Sequence, residues 1–183
     1  MSWIKTVYST IAVLAVVVMH SATAMTDDES IYQLDHTWTT QNQKAFKLEE
    51  LSGKHVVLSM VYTTCEHTCP TIVSNMQSIE SALPKQQSKD VVFVLVSLQP
   101  EIDTPLAMKA YQKKRRLDHW LLLSGNNDDV RTLSMILEVK YQATSDGEIA
   151  HSNLITILDP TGRIEHQLSG TSINKDEALA HLQ

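Results

Sequence analysis

Cysteine is almost absent from this 183-residue chain. Cys65 and Cys69 are the only two, so no framework of disulfides can hold the fold together. Aromatic residues are nearly as scarce, at 5%, which leaves Val, Leu and Ile to carry the apolar load. No glycine-rich phosphate loop is present, and no internal repeat or low-complexity tract appears, which removes the common nucleotide-binding motifs and the solenoid architectures. No apolar run reaches the roughly 20 residues that a membrane-spanning helix needs. Positive charge is in deficit. The 15 Lys and Arg stand against 21 Asp and Glu, a net charge of −6, and that balance speaks against nucleic acid as a partner. The length suits one domain with its own core and is too short for two of ordinary size.

The chain opens like an export signal. Lys5 supplies a positive first region, Ile11 to Met19 an apolar core, and Ala22-Thr23-Ala24 a small-residue cleavage pattern. Residues 1–24 are therefore expected to be a signal peptide and 25–183 a single domain; retention of the leader would instead give membrane association through an uncleaved N-terminus. No cysteine lies near the cleavage site, so a lipid anchor there is not expected. Export places the two thiols where disulfides can form.

Beyond a polar terminus, Ile31 to Thr39 and Ala45 to Leu48 read as short strands around a turn at Gln41-Asn42, an N-terminal β-hairpin. Residues 55–62 and 91–98 are continuous apolar runs of the kind buried on both faces. Residues 119–124 give a third strand, 154–158 a fourth, and Asp159-Pro160-Thr161-Gly162 a tight turn into a return strand at 163–168. Helices are predicted from the cysteine stretch to about Leu83, where Pro84 stops them; from Thr104-Pro105 to the basic run 113–116; from Asn127-Asp128-Asp129 to about Val139; and from Asn174, with Glu177 as a capping-box partner. The basic run complements a helix C-terminus, with a docking patch as the alternative. Strands alternating with helices, then a hairpin and a helix, predict an α/β domain of thioredoxin-like order, a central mixed sheet flanked by helices.

The chemistry concentrates at Tyr62-Thr-Thr-Cys65-Glu-His-Thr-Cys69-Pro70. This stretch leaves a buried strand and opens a helix whose apolar residues Ile72, Val73, Met76, Ile79 and Leu83 share a face. Four-residue spacing puts both sulfurs on one side of the first turn, and a helix N-terminus is expected to lower thiol pKa values. Such a pair suits a soft metal ion or a reversible disulfide; a structural disulfide pinning so short a loop would stabilise little. His67 lies between the cysteines within reach of a metal, yet helical spacing turns it from their shared face. His151 differs from the other histidines because a thioredoxin-like layout sets its strand entrance beside the cysteine turn. Two thiolates and one imidazole form a low-coordinate site for copper, or for zinc.

With Asp103-Thr-Pro105, Trp120 to Gly125, His151-Ser152 and Asp159-Pro-x-Gly162 added, the chain resembles the Sco/SenC family over nearly all of residues 30–183. The resemblance implies a copper chaperone for cytochrome oxidase assembly, with metal ligands at Cys65, Cys69 and His151. It further implies delivery to the oxidase's copper-bearing subunit, or exchange with another copper chaperone, on the periplasmic side. Three positions depart from the family: Glu66 replaces a proline, and Gln99 and Ala150 replace aspartate or another acid. Two rival readings use the same residues. One is an enzyme, a thiol–disulfide reductase with Cys65 and Cys69 as its redox-active pair; the other is a module sensing copper or redox state. None of the five prolines falls between Pro105 and Pro160, where an exchange enzyme generally carries a cis-proline facing its cysteines; His151-Ser152 stands there instead. Intact mass of the exported protein is expected to show a chain beginning at Met25; a mass retaining residues 1–24 in a membrane fraction would show the leader to be an anchor.

Overall fold

The computed structural model describes residues 30–66, 68–145 and 147–183; the leader, the Met25 terminus and His67 lie outside these. The two apolar runs form the centre. Strands β3 (His55–Val61) and β4 (Val91–Ser97) pair in parallel, His55 opposite Val91 through Val61 opposite Ser97. Nearly every residue of both is buried, so both sheet faces are covered. Each buried Val, Leu or Met there contributes about 1.5–3 kcal/mol relative to exposure. Around this pair stand β5 (Leu121–Ser124), parallel to β4, and β8 (Leu154–Leu158), antiparallel to β3. The predicted hairpins supply the edges, β1 (Trp38–Thr40) with β2 (Ala45–Phe46) and β8 with β9 (Ile164–Ser169), except that Ile31–Gln33, expected as strand, is a 3-10 turn capped by the Ser30 hydroxyl. The seven-stranded order is β2-β1-β5-β4-β3-β8-β9, the mixed α/β sheet of thioredoxin-like order expected from sequence.

The helices start where the caps place them. Helix α1 (Thr68–Ala82) backs on β3 and β8 and buries Cys69, Ile72, Val73, Met76 and Ile79. Pro70 fits its first turn, where backbone N–H groups have no intrahelical acceptor. In α2 (Pro105–Arg115) the Thr104 hydroxyl accepts from the Ala107 N–H, and Arg116 closes the helix in a left-handed conformation after three basic residues. That run thus lies at the carbonyl end of a helix, as charge complementarity requires. Asn126, one residue earlier than expected, caps α3 (Asn127–Ile136). This helix stops short of Val139 because Glu138 turns left-handed (φ 56°) and the Val139 N–H closes back on the Ser134 carbonyl at 2.8 Å. Asn174 caps α4 (Lys175–Ala180), which packs on α1; Glu177 pairs with His166 at 3.0 Å rather than completing a capping box.

Two further differences bear on the site. Strand β5 begins at Leu121 rather than His119, because the Trp120 carbonyl is taken by the side-chain amides of Gln41 and Gln112, each at 3.0 Å. The segment expected as a plain loop, of which Thr144, Ser145 and Gly147 are described, joins β6 (Tyr141–Ala143) to β7 (Ile149–His151), a two-stranded sheet of its own.

The Asp159–Gly162 turn receives the N-terminal segment: Ile31 N–H donates to the Gly162 carbonyl at 3.0 Å and Gly53 N–H to that of Pro160 at 2.9 Å. Gly162 has φ +83°, and a Cβ there would meet the Tyr32 ring at 2.5 to 2.7 Å. Gly162→Ala should therefore lower stability by about 2 kcal/mol or more, from backbone strain and overpacking together. Gly53, at φ +86° with nothing near, is the control that bears strain alone. Denaturant midpoints check the pair; equal losses would remove the Tyr32 contact from the explanation.

Candidate metal centre

The centre forms where β3 ends. Leu98 N–H donates to the Val61 carbonyl at 2.8 Å, the last bond of the β3–β4 ladder, and Tyr62 then leads into a tight turn in which Cys65 N–H reaches the Tyr62 carbonyl at 3.3 Å. One buried carboxylate holds that turn. Asp103, only 1% exposed, accepts from the Thr63 N–H at 3.1 and 3.2 Å through its two oxygens and from the Ser97 hydroxyl at 2.6 Å. Burial raises its carboxyl pKa, and the bonds from Ser97 and Thr63 oppose the rise.

The first turn of α1 then carries Cys69 round beneath Cys65. Both are buried and neither is in a disulfide, and the Cys69 N–H points at the Cys65 Sγ from 3.3 Å. His151, the last residue of β7, brings its Nε2 to 3.3 Å from the Cys69 Sγ. The three donor atoms all lie within 4.8 Å of one another, spacings that an ion at metal–sulfur and metal–nitrogen distances of about 2.3 and 2.0 Å can bridge with small adjustments. The His151 Nδ1 is 3.0 Å from the Ser152 carbonyl. A carbonyl only accepts, so Nδ1 carries the proton and Nε2 turns its lone pair to the sulfurs. Burial lowers the His151 pKa, the Ser152 bond opposing, so the neutral, ligating form is favoured.

One expectation from sequence is corrected. Far from being eased toward ionisation, the Cys69 thiol has its pKa pushed well up by burial and then by hydrogen bonding with Cys65. The fully enclosed sulfur loses more in hydration than the helix terminus returns. A cation arriving among these donors supplies the charge that the protein withholds.

Of the residues singled out in the sequence, Cys65, Cys69 and His151 converge. Glu66 is exposed, Ala150 faces outward, and Gln99 lies 3.5 Å from the Thr64 hydroxyl. Asp103 and Tyr62 stood in the sequence as motif positions without a role, and Glu148 gave no signal; these neighbours frame the centre. The Tyr62 hydroxyl donates to the Glu148 Oε2 at 2.6 Å, and its ring meets that of His151 edge-on, centroids 5.8 Å apart.

The His151 shift sets a pH dependence. Its folded pKa is depressed below the ordinary 6.5, so the stability it lends is present above 6.5 and is lost as pH falls through the depressed value. Between about pH 7.5 and 5.5, thermal melting of the reduced, metal-free protein should fall more steeply than that of His151→Ala. Parallel curves would remove His151 as the titrating group.

The geometry has recognisable relatives. The profile of the SCO1/SenC family matches residues 24–183. The structure of ScoI from Bradyrhizobium japonicum with copper bound superposes with a TM-score of 0.68 at 29% identity, over 80% of this chain and 94% of that one. A SCO1/SenC family lipoprotein from Bacillus anthracis gives 0.72 at 26% identity, over 80% and 89%. A candidate copper-binding protein of Stutzerimonas stutzeri is 28% identical over 128 residues, 68% of this chain and 62% of that protein. The match thus spans under two thirds of that relative's length. With residues 24–183 matched, this chain belongs to the SCO1/SenC family.

Proposed function

We propose that this protein binds one copper ion through Cys65, Cys69 and His151 and delivers it in the cell envelope. The acceptor is the copper-bearing subunit of a cytochrome oxidase or another copper chaperone. The observation that carries this is the convergence of two thiols and one neutral imidazole within 4.8 Å. Two thiolates suit Cu(I), and the imidazole adds affinity for the harder Cu(II). Copper bound to the ScoI relative is in keeping with this cargo. The signal-like residues 1–24 support export, and a lipoprotein among the structural relatives is compatible with an envelope location. Hand-over proceeds by ligand exchange with an acceptor's thiolates, with copper as cargo and the protein's redox state unchanged.

The reductase reading uses the same two sulfurs. Against it stands the His151 imidazole, 3.3 Å from the Cys69 Sγ, in the space where an exchange enzyme docks its disulfide. Glu66 beside Cys65 adds a negative charge that opposes thiolate formation at the attacking sulfur.

Titration of the reduced protein should give one copper per chain. Cys65→Ala or Cys69→Ala should abolish tight binding, and His151→Ala should weaken Cu(II) more than Cu(I). Binding should fail in acid, since the ligands must lose their protons. Full copper affinity in Cys65→Ala would remove the site. In a parallel assay, copper transfer to a dithiol acceptor should outpace reduction of a generic disulfide by the metal-free protein. Thioredoxin-like turnover that survives His151→Ala, with no copper transfer, would establish the reductase instead.

A further inference from the structure

Of the three donors, His151 alone lies outside the β3–turn–α1 segment. Its hairpin is a separate two-stranded sheet, and isolated strand pairs are marginal in water. At the base the hairpin is closed by the Ser152 N–H to the Lys140 carbonyl at 2.8 Å and the Lys140 N–H to the Ser152 Oγ at 3.0 Å. Near the tip it is tied to the cysteine side by one phenol. Tyr62, 2% exposed and three residues before Cys65, donates to the Glu148 Oε2 at 2.6 Å and accepts from the Ile149 N–H at 3.3 Å. The same ring abuts His151 at an interplanar angle of 76°. Burial, Glu148 and Cys65 together raise the pKa of this hydroxyl, with Cys65 a hydrogen-bonding neighbour. One side chain thus touches the hairpin that carries the third donor at Glu148, Ile149 and His151, and borders the first donor as well.

Resting on the copper reading, we propose that Tyr62 and Glu148 are positioning residues for His151. Their bond fixes β7 so that Nε2 stays against the Cys69 sulfur, and so sets how firmly the site holds the harder copper ion. A hydroxyl donating to a carboxylate is charge-assisted and short, and enclosure strengthens it further. Outer partners of this kind orient a ligand without touching the metal.

Tyr62→Phe removes only the hydroxyl, and Glu148→Gln keeps an acceptor of the same shape without the charge. Tyr62→Phe should lower Cu(II) affinity about tenfold, with Glu148→Gln between it and the parent. Cu(I) affinity should stay within about twofold, because the two thiolates hold that ion without the imidazole. In a His151→Ala background, Tyr62→Phe should have no further effect on Cu(II). Amide exchange in the metal-free protein gives a readout independent of copper: residues 149–151 should exchange faster in Tyr62→Phe while α1 is unchanged. Equal losses for both ions, the same loss with and without His151, or unaltered exchange at 149–151 would each overturn the proposal. If the parent bound no copper while exchange still quickened, the copper reading and the ligand-positioning role would both fall. Normal parental binding with no difference in Tyr62→Phe would overturn the positioning role alone.

Discussion

The arrangement depends first on a buried carboxylate. Asp103 sits between the end of β4 and the start of α2, yet its two oxygens receive the Ser97 hydroxyl and the Thr63 N–H. Enclosing such a group is costly, and bonds to an ionised acceptor, about 1.5–3 kcal/mol each, offset that cost. The turn bearing Cys65 is therefore anchored to the neighbouring strand rather than left to its own geometry. Without that anchor, a six-residue link between a strand and a helix would have many conformations available. With it, the two sulfurs face the same side and the third donor has a fixed target.

The enclosure that fixes the donors also changes their chemistry. A thiol with no water around it resists ionisation, and an imidazole in the same surroundings resists protonation. Both tendencies favour a neutral, compact arrangement when no ion is present. A cation reverses the balance at the sulfurs, since its charge stabilises the thiolates that burial opposes. Protons must leave as metal arrives, so loading and release are coupled to the proton inventory of the site.

Much of this could be seen in the amino-acid order, and the reasons differ by element. The runs at 55–61 and 91–97 declared themselves because strands covered on both faces need no alternation. Thr104-Pro105 and Asn174 declared helix starts because their side chains satisfy the free N–H groups of a first turn. Cys65 and Cys69 declared a site because they are the chain's only two thiols and stand four residues apart. His151 needed the fold-level resemblance, since 82 residues separate it from Cys69. The hairpin that carries it stayed hidden: Tyr141-Gln142-Ala143 and Ile149-Ala150-His151 are too short for a periodic signal. Asp103 showed itself beside a helix cap and within a family motif but not as the acceptor for Thr63 and Ser97, because a long-range acceptor role leaves no local pattern. The raised thiol pKa of Cys69 escaped for a similar reason: helix position can be read locally, whereas burial is a property of the whole packed domain.

A structural division of labour follows from the separate hairpin. The residues that make the protein fold lie in the seven-stranded sheet and its helices, while one third of the donor set hangs on a small appendage paired only with itself. Substitutions and length changes near residues 144–148 can therefore accumulate without disturbing the central packing. The position of His151 can in this way change by small steps while the packing that holds Cys65 and Cys69 stays as it is.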